Sequence, residues 1–315
     1  MDLDFTVAIP VYNGAQRLPH VLDHLQRQVE DGAIQWEILV IDNNSTDDTA
    51  AVVRQIQAQW TSSVPLQYLQ EPRQGITYAR QRAVNAAKGR YVGFLDDDTP
   101  PAADWVIAAC RFGDAYPQAG AWGGQVQAEF EVPPPPDLGM ARAMLAVRNY
   151  SDTPKPFVPE KLQLPPGAGL VIRRQAWLAV IPDRLHRNQR GGNDYEISLR
   201  LHQAGWQIWY NPAMKITHRI PARRLEKSYL ASLARLHGLC TCELRMLTAK
   251  PWTRPLILIR SFLGGVKKLT WHLIRYRTRI TATTSAACEW SFFLGNAASP
   301  FYYLRNAIAR TLKLS

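Results

Sequence analysis

Three consecutive aspartates, Asp96, Asp97 and Asp98, follow the apolar run at 91–95. The run has the composition of a buried strand, and open α/β sheets bind their ligands at the carboxyl ends of such strands. Three adjacent like charges repel one another, so placing them at a sheet edge costs stability unless a cation offsets the repulsion. The triplet therefore predicts a metal site.

Other polar residues follow two further apolar runs. Asp42 comes directly after the run 38–41, and Pro10, Tyr12 and Asn13 lie at the end of the first run. If these strands are parallel, their carboxyl ends open onto one crevice. Tyr12 would offer an aromatic face and Asn13 an amide to a nucleotide base. The alternative is that these residues only form turns.

The spacing of apolar residues indicates the elements that position this chemistry. Apolar, β-branched segments alternate with amphipathic ones through the first 130 residues, which predicts an α/β fold with a parallel sheet and crossover helices. The predicted strands cover residues 5–11, 36–42, 66–71, 91–95 and about 121–129. A proline-rich stretch at 130–166 predicts a long loop or lid. Beyond it we expect a strand at 167–172, a helix that carries Asp194, and a strand pair at 206–210 and 215–218.

Composition sets further bounds. The chain has 315 residues, 46% of them apolar, which is ample for a real core. Its four cysteines are too scattered for a disulfide framework, so we expect reduced thiols. The first residues lack the basic start and long apolar core of a signal peptide, and export is not expected. The C-terminal hundred residues contain no stretch that predicts a transmembrane helix.

Charge is distributed unevenly. Residues 1–214 hold 19 Lys and Arg against 23 Asp and Glu, whereas residues 215–315 hold 18 against 3. From residue 254 onward the cations are mixed with large apolar side chains. Such a segment fits peripheral attachment to an anionic membrane surface, and it fits equally well amphipathic helices packed on the catalytic body or on a second subunit. Nucleic acid is not an expected partner, because no recognition motif accompanies the charge.

Several ordered motifs resemble those of the family 2 glycosyltransferases with the GT-A fold. They are Ile-Pro-Val-Tyr-Asn at 9–13, Asp-Asn-Asn-Ser-Thr-Asp at 42–47, Gly75 with Ala79 and Arg80, and the triple aspartate. Gly-Asn-Asp-Tyr-Glu at 192–196 resembles the family's acceptor-side motif Gly-Glu-Asp-x-Glu. The resemblance covers about residues 5–220 and implies a Rossmann-like, mostly parallel sheet flanked by helices. It implies a catalytic domain at 1–220, with a nucleotide-binding half at 1–100 and an acceptor half at 101–220, before a basic helical extension at 221–315.

The resemblance also implies a role for each matching residue. Asp194 matches the catalytic base. The nucleotide-binding positions are Pro10, Tyr12, Asn13, Asp42, Asn44, Arg80 and Asp97. The positions that hold Mn²⁺ or Mg²⁺ are Asp96, Asp98 and His218. The supporting or acceptor-side positions are Asn193, Glu196 and Trp206. This chain departs from the family pattern at Asn193, where relatives commonly carry glutamate.

The implied reaction is metal-dependent, inverting transfer of a sugar from a nucleotide diphosphate sugar to a hydroxyl acceptor, a glycan or a lipid-linked glycan. A divalent cation would stabilise the charge on the leaving diphosphate, and a carboxylate would take the proton of the acceptor. The implied setting is polysaccharide or lipid-linked glycan synthesis in the cytoplasm, with peripheral attachment to the inner face of the membrane. Two alternatives stay open, a haloacid dehalogenase-like phosphatase and a non-catalytic membrane-surface adaptor. The phosphatase pattern Asp-x-Asp-x-Thr or Val is weakened by Pro100 at its last position.

Overall fold

The computed structural model of the chain describes residues 3–29, 32–183, 185 and 192–312. These residues belong to two compact units. The first unit contains Met1–Ala128 and Arg148–Arg219, and the second contains Glu129–Val147 and Ile220–Ser315. The motifs at residues 9–13, 42–47, 75–80, 96–98 and 192–196 all lie in the first unit.

Eight strands of the described chain form one sheet. They are β1 Leu3–Val11, β2 Trp36–Asp42, β3 Leu66–Gln70, β4 Gly89–Phe94, β5 Ala119–Phe130, β6 Lys155–Pro156, β7 Leu170–Arg173 and β8 Gln207–Ile220. Their order in the sheet is β3-β2-β1-β4-β7-β5-β8-β6. Strand β1 is parallel to β2 and β4, and β2 is parallel to β3. Strand β7 is antiparallel to β4 and β5, and β6 is antiparallel to β8.

Helices fill the connections between these strands and make up the C-terminal region. They are α1 Leu18–Gln26, α2 Thr49–Ala58, α3 Ile76–Ala86, α4 Trp105–Ala115, α5 Ala141–Met144, α6 Arg174–Val180, α7 Asn193–Gln203, α8 Lys227–Thr248, α9 Arg254–Tyr276 and α10 Thr284–Leu312. The predicted α/β fold with a helical C-terminal region is confirmed.

Burial explains why the parallel part of the sheet forms. Every residue of β2 is buried, and β1 is buried from Phe5 onward, as expected for strands covered on both faces. Helix α1 buries Leu18, Val21, Leu22 and Leu25, which lie on one face because they are three and four residues apart. The register aligns Val11 with Asp42. Consequently, the loops after β1, β2 and β4 leave the sheet at the same edge.

Two predicted elements differ from the structure. The strand pair at 206–210 and 215–218 is the single strand β8. Within this strand the side chain of Asn211 accepts a hydrogen bond from the backbone N–H of Ala213 at 3.1 Å. The stretch 130–166 contains α5 and β6, and is therefore not wholly irregular.

The second unit is built on close helix contacts at small residues. A Cβ added to Gly238 of α8 would lie 2.2 Å from the carbonyl oxygen of Phe292 in α10, and one added to Gly265 of α9 would lie 2.5 Å from Cα of Ala297. Asp137 accepts the backbone N–H of Ser285 at the start of α10, at 3.1 Å. The pKa of the Asp137 carboxyl is lowered by this hydrogen bond. The proline-rich stretch is thus anchored to α10 at this point.

Two adjacent glycines of α9 provide a test of this packing. Gly265→Ala should lower the free energy of unfolding of the helical unit by about 1–3 kcal/mol, because the added methyl group overlaps Ala297. Gly264→Ala should raise it by about 0.5–1 kcal/mol, since no described atom lies within 4 Å of its added Cβ and alanine favours helix. Denaturant titration followed by circular dichroism measures both. Equal effects of the two substitutions would contradict the proposed helix contact.

Candidate active site

The loops after β1 and β2 are tied together by hydrogen bonds. The Asn13 backbone N–H donates to Oγ of Ser45 at 3.0 Å, and its side-chain oxygen accepts the Thr46 N–H at 2.8 Å. The Gly14 N–H donates to Oγ1 of Thr49 at 2.9 Å. Asn13 adopts a left-handed backbone with φ of 51°, a conformation that asparagine tolerates better than most residues. The two loops therefore form one surface, on which the ring of Tyr12 is 47% exposed.

Asp42 is buried beneath this surface with both of its carboxylate oxygens bonded. One oxygen accepts the Ser45 N–H at 2.8 Å, and the other accepts the hydroxyl of Tyr68 at 2.5 Å. Burial, and after it the hydrogen bond to Asp42, raises the pKa of the Tyr68 hydroxyl. Tyr68 was missed by the sequence analysis. Its position in β3 beside β2 is what brings it to Asp42.

Asn43 is a second residue that the motifs did not single out. Its amide nitrogen donates to the carbonyl oxygens of Glu71 and Arg73, at 3.2 and 2.7 Å, and its amide oxygen accepts the Gly75 N–H at 2.7 Å. Asn43 is only 4% exposed. It therefore fixes the end of β3 and the start of α3 relative to β2.

The triple aspartate forms a tight turn held by Thr99. The Asp96 N–H donates to Oγ1 of Thr99 at 2.9 Å, and the Thr99 N–H donates back to the Asp96 carbonyl at 3.1 Å. Burial raises the pKa of Asp96 to about 6, with Arg80 opposing and Asp98, Asp97 and Asp194 adding to the rise. The carboxylates of the turn therefore concentrate negative charge that the fold only partly offsets.

Arg17 at the start of α1 binds the middle aspartate of the turn. Its guanidinium donates to the two oxygens of Asp97 at 3.3 and 2.6 Å, and to the carbonyl oxygen of Asn13 at 3.0 Å. Burial raises the pKa of Asp97, and the Arg17 hydrogen bond opposes that rise. Arg17 was not among the predicted residues. Arg17 connects the loop after β1 to the acidic turn, and the carboxylate of Asp97 is bound by this arginine.

Arg80 of α3 lies on the other side of the acidic turn. It is 4% exposed, its guanidinium donates to the side-chain oxygen of Asn193, and it lies 5.2 Å from the centre of the Phe94 ring. Its Nε has no hydrogen-bond partner among the described residues. A Cβ on Gly167 would come within 2.5 Å of the guanidinium. Arg80 is thus a buried cation that links α3, β4 and the start of α7.

Helix α7 carries the acceptor-side motif. Gly192 precedes it with a φ of 77°, which a residue without a Cβ adopts at little cost. Asp194 lies in the first turn and is half-buried. Glu196 is fully buried and accepts two hydrogen bonds from Arg200, at 3.0 and 2.9 Å. Glu196 therefore stabilises the helix that positions Asp194.

The remaining predicted residues lie at different places. His218 follows Thr217, whose N–H donates to the Pro100 carbonyl at 2.9 Å, so His218 lies next to the end of the acidic segment. Trp206 does not join the other predicted site residues. Its side chain packs against Gly120 and lies 5.9 Å below the Arg173 guanidinium. Residue 173 pairs with residue 91 at the start of β4, and this is the opposite edge of the sheet.

The other two predicted nucleotide-binding residues, Pro10 and Asn44, are notable for their backbone positions. Pro10 is buried within β1 opposite Ile41 of β2, so it shapes the strand end. Asn44 is exposed in the loop after β2 with a left-handed φ of 65°. Both lie at the carboxyl edge of the sheet.

A metal site is incomplete in the protein side chains alone. Among the described residues, no group of three or more His, Cys, Asp or Glu side chains is arranged to hold a metal ion. The carboxylates of Asp96 and Asp98 are hard oxygen ligands of the type that Mg²⁺ and Mn²⁺ prefer. Burial raises the pKa of Asp96, and the neighbouring carboxylates of Asp98, Asp97 and Asp194 add to the rise; a bound cation would oppose both effects. The donor set therefore fits a cation whose other ligands come from substrate oxygens and water.

Comparison with known proteins identifies the family. Residues 6–175 match the description "Glycosyl transferase family 2". The chain therefore belongs to this family, and that segment is a glycosyltransferase domain. Glycosyltransferase AglE of Haloferax volcanii is 31% identical over 101 residues, 32% of each chain. TuaG of Bacillus subtilis, a glycosyltransferase named for teichuronic acid biosynthesis, is 31% identical over 93 residues, 30% of this chain and 35% of its own. The chain matches about a third of the length of these relatives.

A solved structure extends the likeness to nearly the whole chain. The mannosyltransferase PcManGT from Pyrobaculum calidifontis, in complex with GDP-Man and Mn²⁺, has a TM-score of 0.58 and 20% identity, and the match covers 94% of this chain and 87% of that one. At this identity the likeness shows the fold. The predicted family and the GT-A fold are confirmed.

Substituting Asp96 provides a test of the charge at the acidic turn. In the metal-free protein at pH 8, Asp96→Asn should raise the free energy of unfolding by about 1–3 kcal/mol, because it removes a carboxylate whose pKa is raised to about 6 in the fold from 3.8. A carboxyl group whose pKa is higher in the folded than in the unfolded protein lowers the free energy of unfolding as pH rises from about 4 to 6. The stabilisation by Asp96→Asn should therefore vanish near pH 4. Chemical denaturation at both pH values measures the difference. In excess Mn²⁺, wild type should gain stability and the variant should not; a destabilised variant at pH 8 would contradict this account.

The tie formed by Arg17 provides a second test. Arg17→Ala should weaken binding of the nucleotide diphosphate by about tenfold, because the β1 loop loses its connection to the acidic turn. Calorimetric titration with UDP and GDP in the presence of Mn²⁺ measures the change. Arg27→Ala is the matched control. Arg27 follows the same helix and forms an exposed ion pair with Asp23, at 2.8 Å. If both variants bind like wild type, Arg17 has no part in the site.

Proposed function

We propose that this chain transfers a sugar from a nucleotide diphosphate sugar to a hydroxyl acceptor, with inversion at the anomeric carbon. The observation that carries the proposal is the link between the acidic turn and helix α7: buried Arg80 donates a hydrogen bond to Asn193, the neighbour of Asp194, and its charge lowers the pKa of Asp96 against the effect of burial. Tyr12 and Asp42 lie on the neighbouring strand ends. This edge therefore combines an acidic centre with a surface suited to a nucleotide base.

The acidic centre supports a requirement for Mg²⁺ or Mn²⁺. Asp96 and Asp98 would hold the ion, and we assign His218, near the end of β8, as a further contact. When bound, the ion would supply positive charge that stabilises the leaving diphosphate. Arg17 keeps Asp97 away from this role, since it binds both oxygens of that carboxylate. Arg80 adds a fixed positive charge beside the turn.

Asp194 is the residue that we assign as general base. The acceptor hydroxyl is a weak nucleophile until its proton is removed, and a carboxylate held on the acceptor side can take that proton as the new bond forms. Attack on the face of the sugar opposite the diphosphate gives inversion. Asn193, bonded to Arg80, and Glu196, bonded to Arg200, position the first turn of α7 and with it Asp194.

The acceptor and the setting follow from the relatives and from the charge of the chain. We assign a glycan or lipid-linked glycan acceptor and a part in polysaccharide or lipid-linked glycan synthesis, in line with the name of TuaG. We also assign a cytoplasmic location with peripheral attachment to the inner face of the membrane, since residues 215–315 carry a net charge of +15. Neither the phosphatase nor the adaptor alternative gains support, because the family match covers more than half of the chain.

Two substitutions separate the base from the donor site. Asp194→Asn should lower the rate of sugar transfer by about 10²–10⁴-fold and leave nucleotide binding intact, because it removes only the proton acceptor. Asp98→Asn should weaken metal-dependent nucleotide binding. Calorimetry and product analysis with a panel of nucleotide sugars, in Mn²⁺ and in Mg²⁺, measure the two effects.

The matched control is Asp104→Asn, because Asp104 also begins a helix and its side chain makes no capping hydrogen bond. It should behave as wild type in both assays. If Asp194→Asn transfers sugar at the wild-type rate, Asp194 is not the base. If wild type binds no nucleotide sugar with either metal, the proposed function fails.

A further inference from the structure

One side of helix α9 is apolar and open to solvent. Leu256, Ile259, Leu263, Val266 and Ile274 are between 39 and 71% exposed. The first four are three or four residues apart, and Ile274 comes eight residues after Val266. All five therefore lie along one stripe of the helix. We call this stripe the α9 apolar face. Its size is unusual for a surface that contacts only water.

A different side of α9 packs on α10. Ser261, Gly265 and His272 are buried, and an added Cβ on Gly265 would meet Ala297. The imidazole of His272 lies 3.0 Å from the carbonyl oxygen of Ile280. The contact with α10 therefore occupies the side away from the α9 apolar face, and packing within this unit does not account for the exposed stripe.

Helix α10 extends the same apolar surface. The rings of Phe262 and Phe301 meet edge to face, with centroids 5.7 Å apart. Beyond this contact, Phe301, Leu304 and Ile308 are 62, 43 and 60% exposed. The α9 apolar face and these three α10 side chains form one continuous surface across two helices.

Cations border this surface. Arg260 and Lys267 each follow a residue of the α9 apolar face and so lie about 100° further round the helix. Helix α9 contains five Lys and Arg and no Asp or Glu. Two exposed tryptophans lie near cations: Trp252 has the Lys250 ammonium 5.3 Å from its ring, and Trp271 has the Arg275 guanidinium 5.0 Å from its ring. Tryptophan and cations next to an apolar stripe are typical of helices that lie in a membrane interface.

We infer that the α9 apolar face, together with the exposed side chains of α10, docks on the surface of an anionic lipid bilayer. The apolar side chains would enter the boundary between head groups and acyl chains, and the bordering cations would bind lipid phosphates. A second copy of the chain is a poorer occupant, because it would bring two rows of cations together. No helix in the described part of the chain has the length and apolar character needed to cross a bilayer. The helices would therefore lie in the interface.

This inference extends the proposed function, on which it rests for the membrane location, by assigning the surface and the lipid chemistry. Lipid binding needs no donor sugar, so it can be measured separately from nucleotide binding. A protein that binds vesicles but no nucleotide sugar would leave the docking surface standing and refute the sugar transfer. The reverse result would refute only the docking surface.

Vesicle co-sedimentation of the full chain is the test. Vesicles of phosphatidylcholine mixed equally with phosphatidylglycerol should bind the protein, and vesicles of phosphatidylcholine alone should bind it far more weakly. The double variant Arg260→Gln, Lys267→Gln should bind the mixed vesicles about thirtyfold more weakly, because it removes the two cations that border the α9 apolar face. Ile259→Gln with Leu263→Gln should bind them at least about tenfold more weakly, because it removes apolar insertion.

Matched controls come from the first unit. Leu178→Gln changes an apolar side chain that is 47% exposed, and Lys161→Gln removes an exposed cation; both should bind as wild type. Nucleotide binding without vesicles should be equal in all variants, and circular dichroism should show the same helix content. Equal vesicle binding by the α9 variants and the controls would overturn the inference. So would a wild-type dimer, seen by light scattering, that Ile259→Gln with Leu263→Gln converts to monomer without any vesicle binding.

Discussion

Burial of adjacent carboxylates at one edge of a sheet is the constraint on which the rest of the catalytic unit depends. Asp96, Asp97 and Asp98 follow β4 directly, and the charge of Asp194 reaches the same place from α7. Two arginines, which differ in burial and in hydrogen-bond partner, lie near these carboxylates. Arg17 is half-exposed and binds Asp97, whereas Arg80 is buried and bonded to Asn193. Arg80 only partly offsets the burial that disfavours the charged form of Asp96, since the pKa of this carboxyl stays raised. A cation at this edge, as proposed above, would stabilise the charged form of Asp96.

Much of this edge could be predicted, because the information is local in the chain. Strands β1, β2 and β4 are mostly apolar and buried, and polar residues lie at or shortly after the end of each of them. Parallel pairing then places the ends together whatever the details of packing. Expected roles could be given to Asp42, Asp96 and Asp194 because their motifs occur in the order that the family shows. In the structure Val11 lies opposite Asp42 in the parallel pair of β1 and β2.

The supporting residues could not be predicted, because their roles depend on contacts between distant segments. Tyr68 looks like an ordinary strand residue until β3 pairs with β2 and brings its hydroxyl to Asp42. Arg17 and Asp97 are 80 residues apart, and nothing local marks them as a pair. Trp206 shows the opposite case. An aromatic residue near the acceptor motif suggests a sugar contact, whereas in the structure Trp206, which directly precedes β8, packs against Gly120.

Asn193 shows how one departure from a family pattern changes the electrostatics. An acidic residue at this position would form an ion pair with the buried Arg80 and would largely neutralise the charge of the arginine. Asparagine offers the same hydrogen-bond acceptor without the charge. The positive field of Arg80 is therefore available to Asp96, whose pKa it lowers against the effect of burial. A neutral Asn193 thus keeps the α3 to α7 link while leaving more positive charge for the acidic turn.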